Sequence, residues 1–250
     1  MIGENRRLDL ELVSRGLCES RAKAQAFIKE GRVQVDGTVA LKPNRKIQDD
    51  SHIHLDIPED DWVSRGAYKL LAALEHFSPD VKGRIAADIG ASTGGFSEVL
   101  LKRGIGKIYA VDVGHGQLHG KLQREERLIN MEGINARHLT RDDIPDPLDL
   151  VVTDASFISL KKLLPAVLNL CAPDAHLLAL IKPQFEVGKG NLGKGGIVRD
   201  ADLAEQVRYD LENWINALPG WQCLGTVDSP ITGSDGNHEY LMGAQKNAGS

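Results

Sequence analysis

DIGASTGGF, residues 88–96, decides the fold of this 250-residue chain. The run leading into it, IAADIG (85–90), is apolar and strand-like, while Phe96 to Arg103 has helical spacing. Between them the glycines fall at Gly90, Gly94 and Gly95. Glycine at a strand-to-helix turn lets the backbone approach a ligand closely, and the helix start offers free N–H donors. In an open α/β sheet, ligands bind at the carboxyl ends of the strands. The spacing differs from the dinucleotide pattern G-x-G-x-x-G. Asp112 closes the next strand, KIYAVDV (107–113), where a carboxylate can take ribose hydroxyls. A cofactor cradle of Asp88, Gly90, Ala91, Ser92, Thr93, Gly94, Gly95, Phe96, Asp112 and Val113 is expected. An ordinary turn with a structural aspartate is the competing reading, and nicotinamide enzymes share parts of the pattern.

Downstream, strand-like LDLVVTD (148–154) and HLLALIKP (176–183) alternate with helical Leu160 to Leu170. A last helix is expected from Ala201 to Leu218, then strands near Gln222–Asp228 and Glu239–Gly243. Their connection, SPITGSDGN (229–237), suits a tight hairpin. The alternation predicts an α/β fold: a mostly parallel sheet, helices on both faces, and an antiparallel pair at one end. Upstream the pattern changes. Leu8, Leu12 and Val13 have helical spacing, and Ser20 is placed to cap a second helix whose apolar face is Ala24, Phe27 and Ile28. Gly31 is placed to end it. RVQVDGTVA (32–40) reads as a hairpin with a primed turn at Asp36-Gly37. The domains expected are 1–58, small and α+β; a linker, 59–64; and the larger unit, 65–246.

Composition is that of a soluble globular protein, 42% hydrophobic and 26% charged. No apolar run approaches the roughly 20 residues that span a bilayer. MIGENRRLDLELV has no signal-peptide character, and three scattered cysteines make neither a disulfide framework nor a metal knuckle. A cytoplasmic protein is expected. His115 and His119 are spaced i,i+4 without a third ligand, so no metal is expected. Net charge is −5, yet residues 1–46 hold ten Lys/Arg against six Asp/Glu, which leaves −9 for the remainder. A basic end on an acidic protein suggests a polyanion-binding appendage; scatter is the alternative.

Four residues could carry chemistry. Asp154 and Lys182 end strands expected to be neighbours, on the cofactor side. Lys69 lies in WVSRGAYKLL (62–71), just before the first strand of the sheet, and Glu239 begins a late strand. Each has a plain reading: a strand-terminal lysine can snorkel to water, and a lone glutamate usually faces solvent. Together they suit an alcohol that loses its proton while attacking a methyl group. A lysine can serve as base, carboxylates can hold it, and a second lysine can steady the substrate.

SRGAYKL (64–70) resembles the SRAxxKL signature of FtsJ-type ribose 2′-O-methyltransferases, with Gly66 where alanine is usual. Their Lys-Asp-Lys-Glu tetrad maps onto Lys69, Asp154, Lys182 and Glu239. VDVGHGQL, TDASFISL, IKPQFEVGK, GGIVRD and SPITGSDGNHEYL closely resemble the TlyA family, whose members carry both hemolysin and rRNA cytidine 2′-O-methyltransferase names. The N-terminal unit resembles the RNA-binding domain named after the fourth small-subunit ribosomal protein. The resemblance implies a class I methyltransferase with a Rossmann-like sheet, S-adenosyl-L-methionine as cofactor, and ribosomal RNA or ribosomal subunits as partner. It implies Lys182 as general base, Asp154 and Glu239 orienting it, and Lys69 supporting the ribose or phosphate.

On this reading Arg6, Arg7, Arg21, Lys23, Lys29 and Arg65 are expected to meet RNA, with a solvated charged face as the alternative. Arg7-Leu8-Asp9 resembles the aspartate motif of pseudouridine synthases, but no synthase core follows, so Asp9 is expected to be structural. The glycine-rich FEVGKGNLGKGGIVRD (185–200) is expected to order when RNA and cofactor bind; plain disorder is its alternative. Three rivals stand beside the methyltransferase: a membrane-lytic protein, an RNA-binding protein with an idle methyltransferase fold, and a nicotinamide-dependent enzyme.

Overall fold

The computed structural model describes residues 6–56, 61–193, 195–233 and 235–248. The chain forms two compact units, Met1–Asp61 and Trp62–Ser250.

In the first unit, β1 (Arg6–Arg7) leads into α1 (Leu8–Ser14) and α2 (Arg21–Lys29). Strands β2 (Val33–Val35), β3 (Thr38–Val39), β4 (Lys46–Ile47) and β5 (Ile53–Leu55) follow. The Ser20 side chain accepts a hydrogen bond from the Lys23 N–H and caps α2. Asp36 and Gly37 both have positive φ, 51° and 76°, the geometry of a primed two-residue turn joining β2 to β3. Leu8, Leu12, Phe27, Ile28, Val33 and Val35 form its core. The end of the alternating run before Pro58 lies outside the described residues.

The second unit starts earlier than the pattern suggests. Trp62 and Val63, expected in a linker, pack against its core. The Val63 N–H donates to the buried Glu98 carboxylate at 2.7 Å, and the Lys102 ammonium lies 3.9 Å from the centre of the Trp62 ring. Helix α3 (Ala67–Phe77) follows, then β6 (Ile85–Ile89), α4 (Gly95–Lys102), β7 (Lys107–Asp112), β8 (Leu128–Glu132), β9 (Leu148–Thr153), α5 (Leu160–Leu168), β10 (Cys171–Ile181), α6 (Pro183–Glu186), α7 (Ala201–Asn216), β11 (Trp221–Asp228) and β12 (Tyr240–Lys246). The seven strands run in the order β11-β12-β10-β9-β6-β7-β8. β12 pairs antiparallel with both neighbours; the other pairings are parallel. Helices α3 and α4 bury Leu70, Leu74, Val99 and Leu100 against one face. Helices α5 and α7 bury Leu164, Val167, Leu211 and Ile215 against the other.

One strand is added to the expected set and one expectation is corrected. β8 is a strand the sequence pattern does not announce; as an edge strand it shows no clean alternation. The β11–β12 connection is not a tight hairpin: the last strand pair is Asp228 opposite Tyr240, so residues 229–239 separate the two strands. Its Asn237 side chain is buried and serves tertiary contacts, which a two-residue turn could not accommodate.

Candidate active site

Strand order reverses between β6 and β9: the chain leaves β6 toward β7 and β8, then returns to β9 on the other side. Such switch points open a crevice at the carboxyl edge. Gly90 lies there with φ +79°, and a Cβ on it would stand 2.9 Å from Ala155 Cα. Only glycine fits that approach. Gly94 (φ +92°) backs onto Leu118 and Leu122, and Gly95 onto Ser64. Asp112 takes the Ser92 N–H at 2.9 Å and the Gly114 N–H at 2.7 Å, bracing the two loops around it. Val113 stands 66% exposed as a cavity wall. Asp88 is buried and accepts from Ser97 Oγ at 2.7 Å; burial pushes its carboxyl up to about 7.

Glu132, at the end of β8, was not foreseen. It accepts the N–H groups of Gly116, Gln117 and Leu118 at 3.0, 2.6 and 3.0 Å, which hold its carboxyl down at about 2. A carboxylate in this nest of amides shapes the loop that carries Val113 and Gln117 to the cavity. The available signal was the glycine-rich VGHGQ itself, whose amides need an acceptor.

The sheet brings the four ionisable residues together by register. Asp154 follows β9 and Lys182 follows β10, and these strands pair in parallel with Ala179 opposite Thr153. β12 runs the other way with Tyr240 opposite Ile181, so Glu239 just before it reaches the same edge. Lys69 arrives from the first turn of α3. Lys182 Nζ donates to the Asp154 main-chain oxygen at 2.9 Å and to Ser156 Oγ at 2.8 Å. It also lies 2.7 Å from Asp154 Oδ1, an ion pair outside hydrogen-bonding angles. Lys69 Nζ donates to Glu239 Oε2 at 2.6 Å and stands 3.7 Å from Asp154 Oδ2. The family resemblance has Glu239 orienting Lys182; the structure corrects this, since Glu239 holds Lys69, and Asp154 lies between the two lysine nitrogens. Lys69, Lys182 and Glu239 are all buried.

Two adjoining cavities meet here. The smaller, about 450 Å³, is lined by the four ionisable residues and by Asp88, Ala91, Thr93 and Phe96. The larger, about 1360 Å³, is walled by Asp112, Val113, Phe157 and Phe185. Gly90, Ser92, Asp154 and Ser156 line both. The larger volume exceeds the roughly 300–1,000 Å³ usual for a single small ligand. Phe157 is 89% exposed, has φ +65°, and pairs with Phe185 at 5.1 Å between ring centres. These rings, each three residues beyond a strand-end site residue, were missed by the sequence reading.

The predicted RNA contacts divide. Arg65 is exposed at the rim of the smaller cavity. In the first unit, Arg7 and Arg21 both pair with Asp9, and Lys23 with Asp61 at 2.7 Å. Arg6 stands 3.7 Å from Glu11, and Lys29 is exposed. Among the described residues no group of three or more His, Cys, Asp or Glu side chains could hold a metal ion, and no helix is long and apolar enough to cross a membrane.

The model of FtsJ-like methyltransferases matches residues 62–246, and that of the S4 domain matches residues 6–53. The chain belongs to the FtsJ-like methyltransferase family. This FtsJ-like chain is 46% identical over 237 residues to the 16S/23S rRNA (cytidine-2′-O)-methyltransferase TlyA of Mycobacterium tuberculosis, covering 94% of its own length and 88% of the relative's. It is 40% identical to Hemolysin A of Brachyspira hyodysenteriae, over 94% of its length and 98% of that protein's. A solved structure named "Putative hemolysin from Streptococcus thermophilus" is similar at 36% identity and a TM-score of 0.72, over 99% of this chain and 90% of that one. The sheet is thus the Rossmann-like sheet of class I methyltransferases, preceded by an S4 domain.

Proposed function

We propose that this chain is a cytoplasmic S-adenosyl-L-methionine-dependent rRNA methyltransferase that modifies the ribose 2′-hydroxyl of cytidine in small-subunit RNA, large-subunit RNA or both. The convergence of Lys69, Asp154, Lys182 and Glu239 at the carboxyl edge, beside a glycine-built cradle, carries this reading. The cradle fits the cofactor. Gly90 admits backbone approach, Asp112 offers carboxylate lone pairs to ribose hydroxyls, and Val113 gives an apolar wall. When bound, the cofactor supplies an electrophilic sulfonium methyl group.

The chain's own residues do the rest. Lys182 acts as a neutral amine, having first released its own proton to solvent: it takes the proton that leaves the 2′-oxygen and becomes the ammonium, which Asp154 and Ser156 hold in place. Lys69, fixed by Glu239, donates to the ribose or its phosphate. Phe157 and Phe185 offer stacking surface to a base taken out of its helix. The larger cavity has room for a nucleotide beside the cofactor, so positioning contributes alongside acid–base help. The S4 domain holds structured RNA through cations that phosphate can share. Hemolysin names among the relatives have no counterpart in this chemistry.

The test is methyl transfer to purified ribosomal subunits, with ribose-methylated nucleotides located by mass spectrometry. Lys182→Ala is expected to bind S-adenosylmethionine normally and to lose about 10²- to 10⁴-fold in transfer rate. Near wild-type transfer by this variant, or no transfer by the wild type, removes the reading.

A further inference from the structure

Residues 187–200 join α6 to α7 and are rich in glycine. Glycine loses the most conformational freedom on ordering, so such a segment needs an anchor. The sequence alone suggests that bound RNA and cofactor supply it. The structure gives it one of its own. Asn237, in the loop before β12, is only 1% exposed. Its Oδ1 accepts the Val198 N–H at 3.0 Å, and its Nδ2 donates to the Gly196 oxygen at 3.1 Å. Among uncharged side chains of this length, the primary amide meets one backbone donor and one backbone acceptor at once.

The same residue is tied toward the ionisable cluster. Its main-chain oxygen accepts the Gly233 N–H at 3.0 Å. Gly233 packs so tightly on Glu239 that a Cβ there would lie 2.5 Å from Oε1. The Glu239 main-chain oxygen takes the Ser229 N–H at 2.9 Å, and its carboxylate holds Lys69. On the far side, Gly188, Leu192, Gly195 and Gly196 wall the larger cavity.

We infer that Asn237 is a positioning residue that locks this cavity wall to the loop carrying Glu239, so that the wall and the Lys69–Glu239 pair form as one unit. The inference rests on the methyltransferase reading for its kinetic consequence and on geometry alone for the lock. Losing the amide frees the wall and loosens the seat of Glu239 together. Cofactor or RNA binding and the chemical step then suffer in the same variant.

The experiment compares full-length wild type, Asn237→Ala and the near-isosteric Asn237→Asp, which keeps an acceptor for Val198 but loses the donor to Gly196. Hydrogen exchange at the Val198 amide, S-adenosylmethionine titration and steady-state methyl transfer to ribosomal subunits are measured, each scaled to the folded fraction. Exchange at Val198 is expected to quicken by roughly tenfold or more in the alanine variant. KM is expected to rise and kcat to fall in both variants, with Asn237→Asp the milder. Unchanged Val198 exchange overturns the lock. Faster exchange with KM and kcat both unchanged overturns the positioning role. If the wild type itself transfers no methyl group, the proposed function fails, while exchange at Val198 and the cofactor titration still decide the lock.

Discussion

Asp9 in the first unit and Asp88 in the second are equally hidden, at 0% and 1% exposure, yet they titrate in opposite directions. Asp9 accepts from Arg7 at 2.9 and 3.0 Å, from Arg21 at 2.9 Å and from Gln25 at 2.7 Å, and the Arg7 guanidinium leads in holding its carboxyl far below the usual range. Asp88 has the Ser97 hydroxyl for a partner and is pushed up by burial. Burial alone therefore assigns no role to a carboxylate; its partners do. The S4 domain sinks the acid and leaves its cations partly in water, where phosphate can share them. The FtsJ-like unit does the reverse at its site, sinking Lys69 and Lys182 beside a cavity. The first arrangement holds a fold together while displaying charge. The second keeps amines for chemistry.

Three measurements can break or sharpen this contrast. A large effect is expected from Asp9→Asn, which weakens four charge-assisted hydrogen bonds; hydrogen exchange in α1 and α2 should report a loss of about 2 kcal/mol at pH 7. Because the folded-state carboxyl is depressed, that contribution is present above the ordinary carboxylate value and is lost as pH falls through the lowered one. The loss should therefore shrink in strong acid. A loss that persists unchanged there would mean that charge is not what Asp9 supplies.

Asp88→Asn should act the other way. The folded protein holds the Asp88 proton up to about 7 and the unfolded chain releases it near 4, so wild-type stability falls as pH rises between these values. The amide variant should lack that slope and be the more stable at pH 8. The three tryptophans, Trp62, Trp214 and Trp221, all lie in this unit, so urea unfolding followed by their fluorescence reads it directly. The smallest effect belongs to Lys29→Ala. It should leave stability within about 0.5 kcal/mol and lower the magnitude of the salt slope of RNA binding by about 1. An unchanged slope would remove Lys29 from the RNA contact.

Much of the sheet is legible in the sequence because buried parallel strands are long apolar runs. IAADI, KIYAVD and LDLVVT announce β6, β7 and β9 in this way. β8 escapes the pattern because LINME, at the sheet edge, buries only Leu128 fully. The glycine turn and Asp112 are legible because their chemistry is local to a strand end. Glu132 and Asn237 are not. Each satisfies backbone groups on a segment remote in sequence, and a lone glutamate or asparagine leaves no periodic trace.

By itself, the sequence determines which residues can meet: strand-terminal Asp154 and Lys182, with Lys69 and Glu239 on flanking elements, and the glycines that alone allow close backbone approach. Tertiary structure decides who pairs with whom. Glu239 was expected beside Lys182, but β12 delivers it to Lys69, and Asp154 is left between both lysines. The reason is geometric. Strand order and register bring residues to a common edge, whereas the pairing of ammonium with carboxylate depends on ångström-scale distances set by how α3 and the 229–239 loop pack, and one-dimensional spacing carries no measure of those.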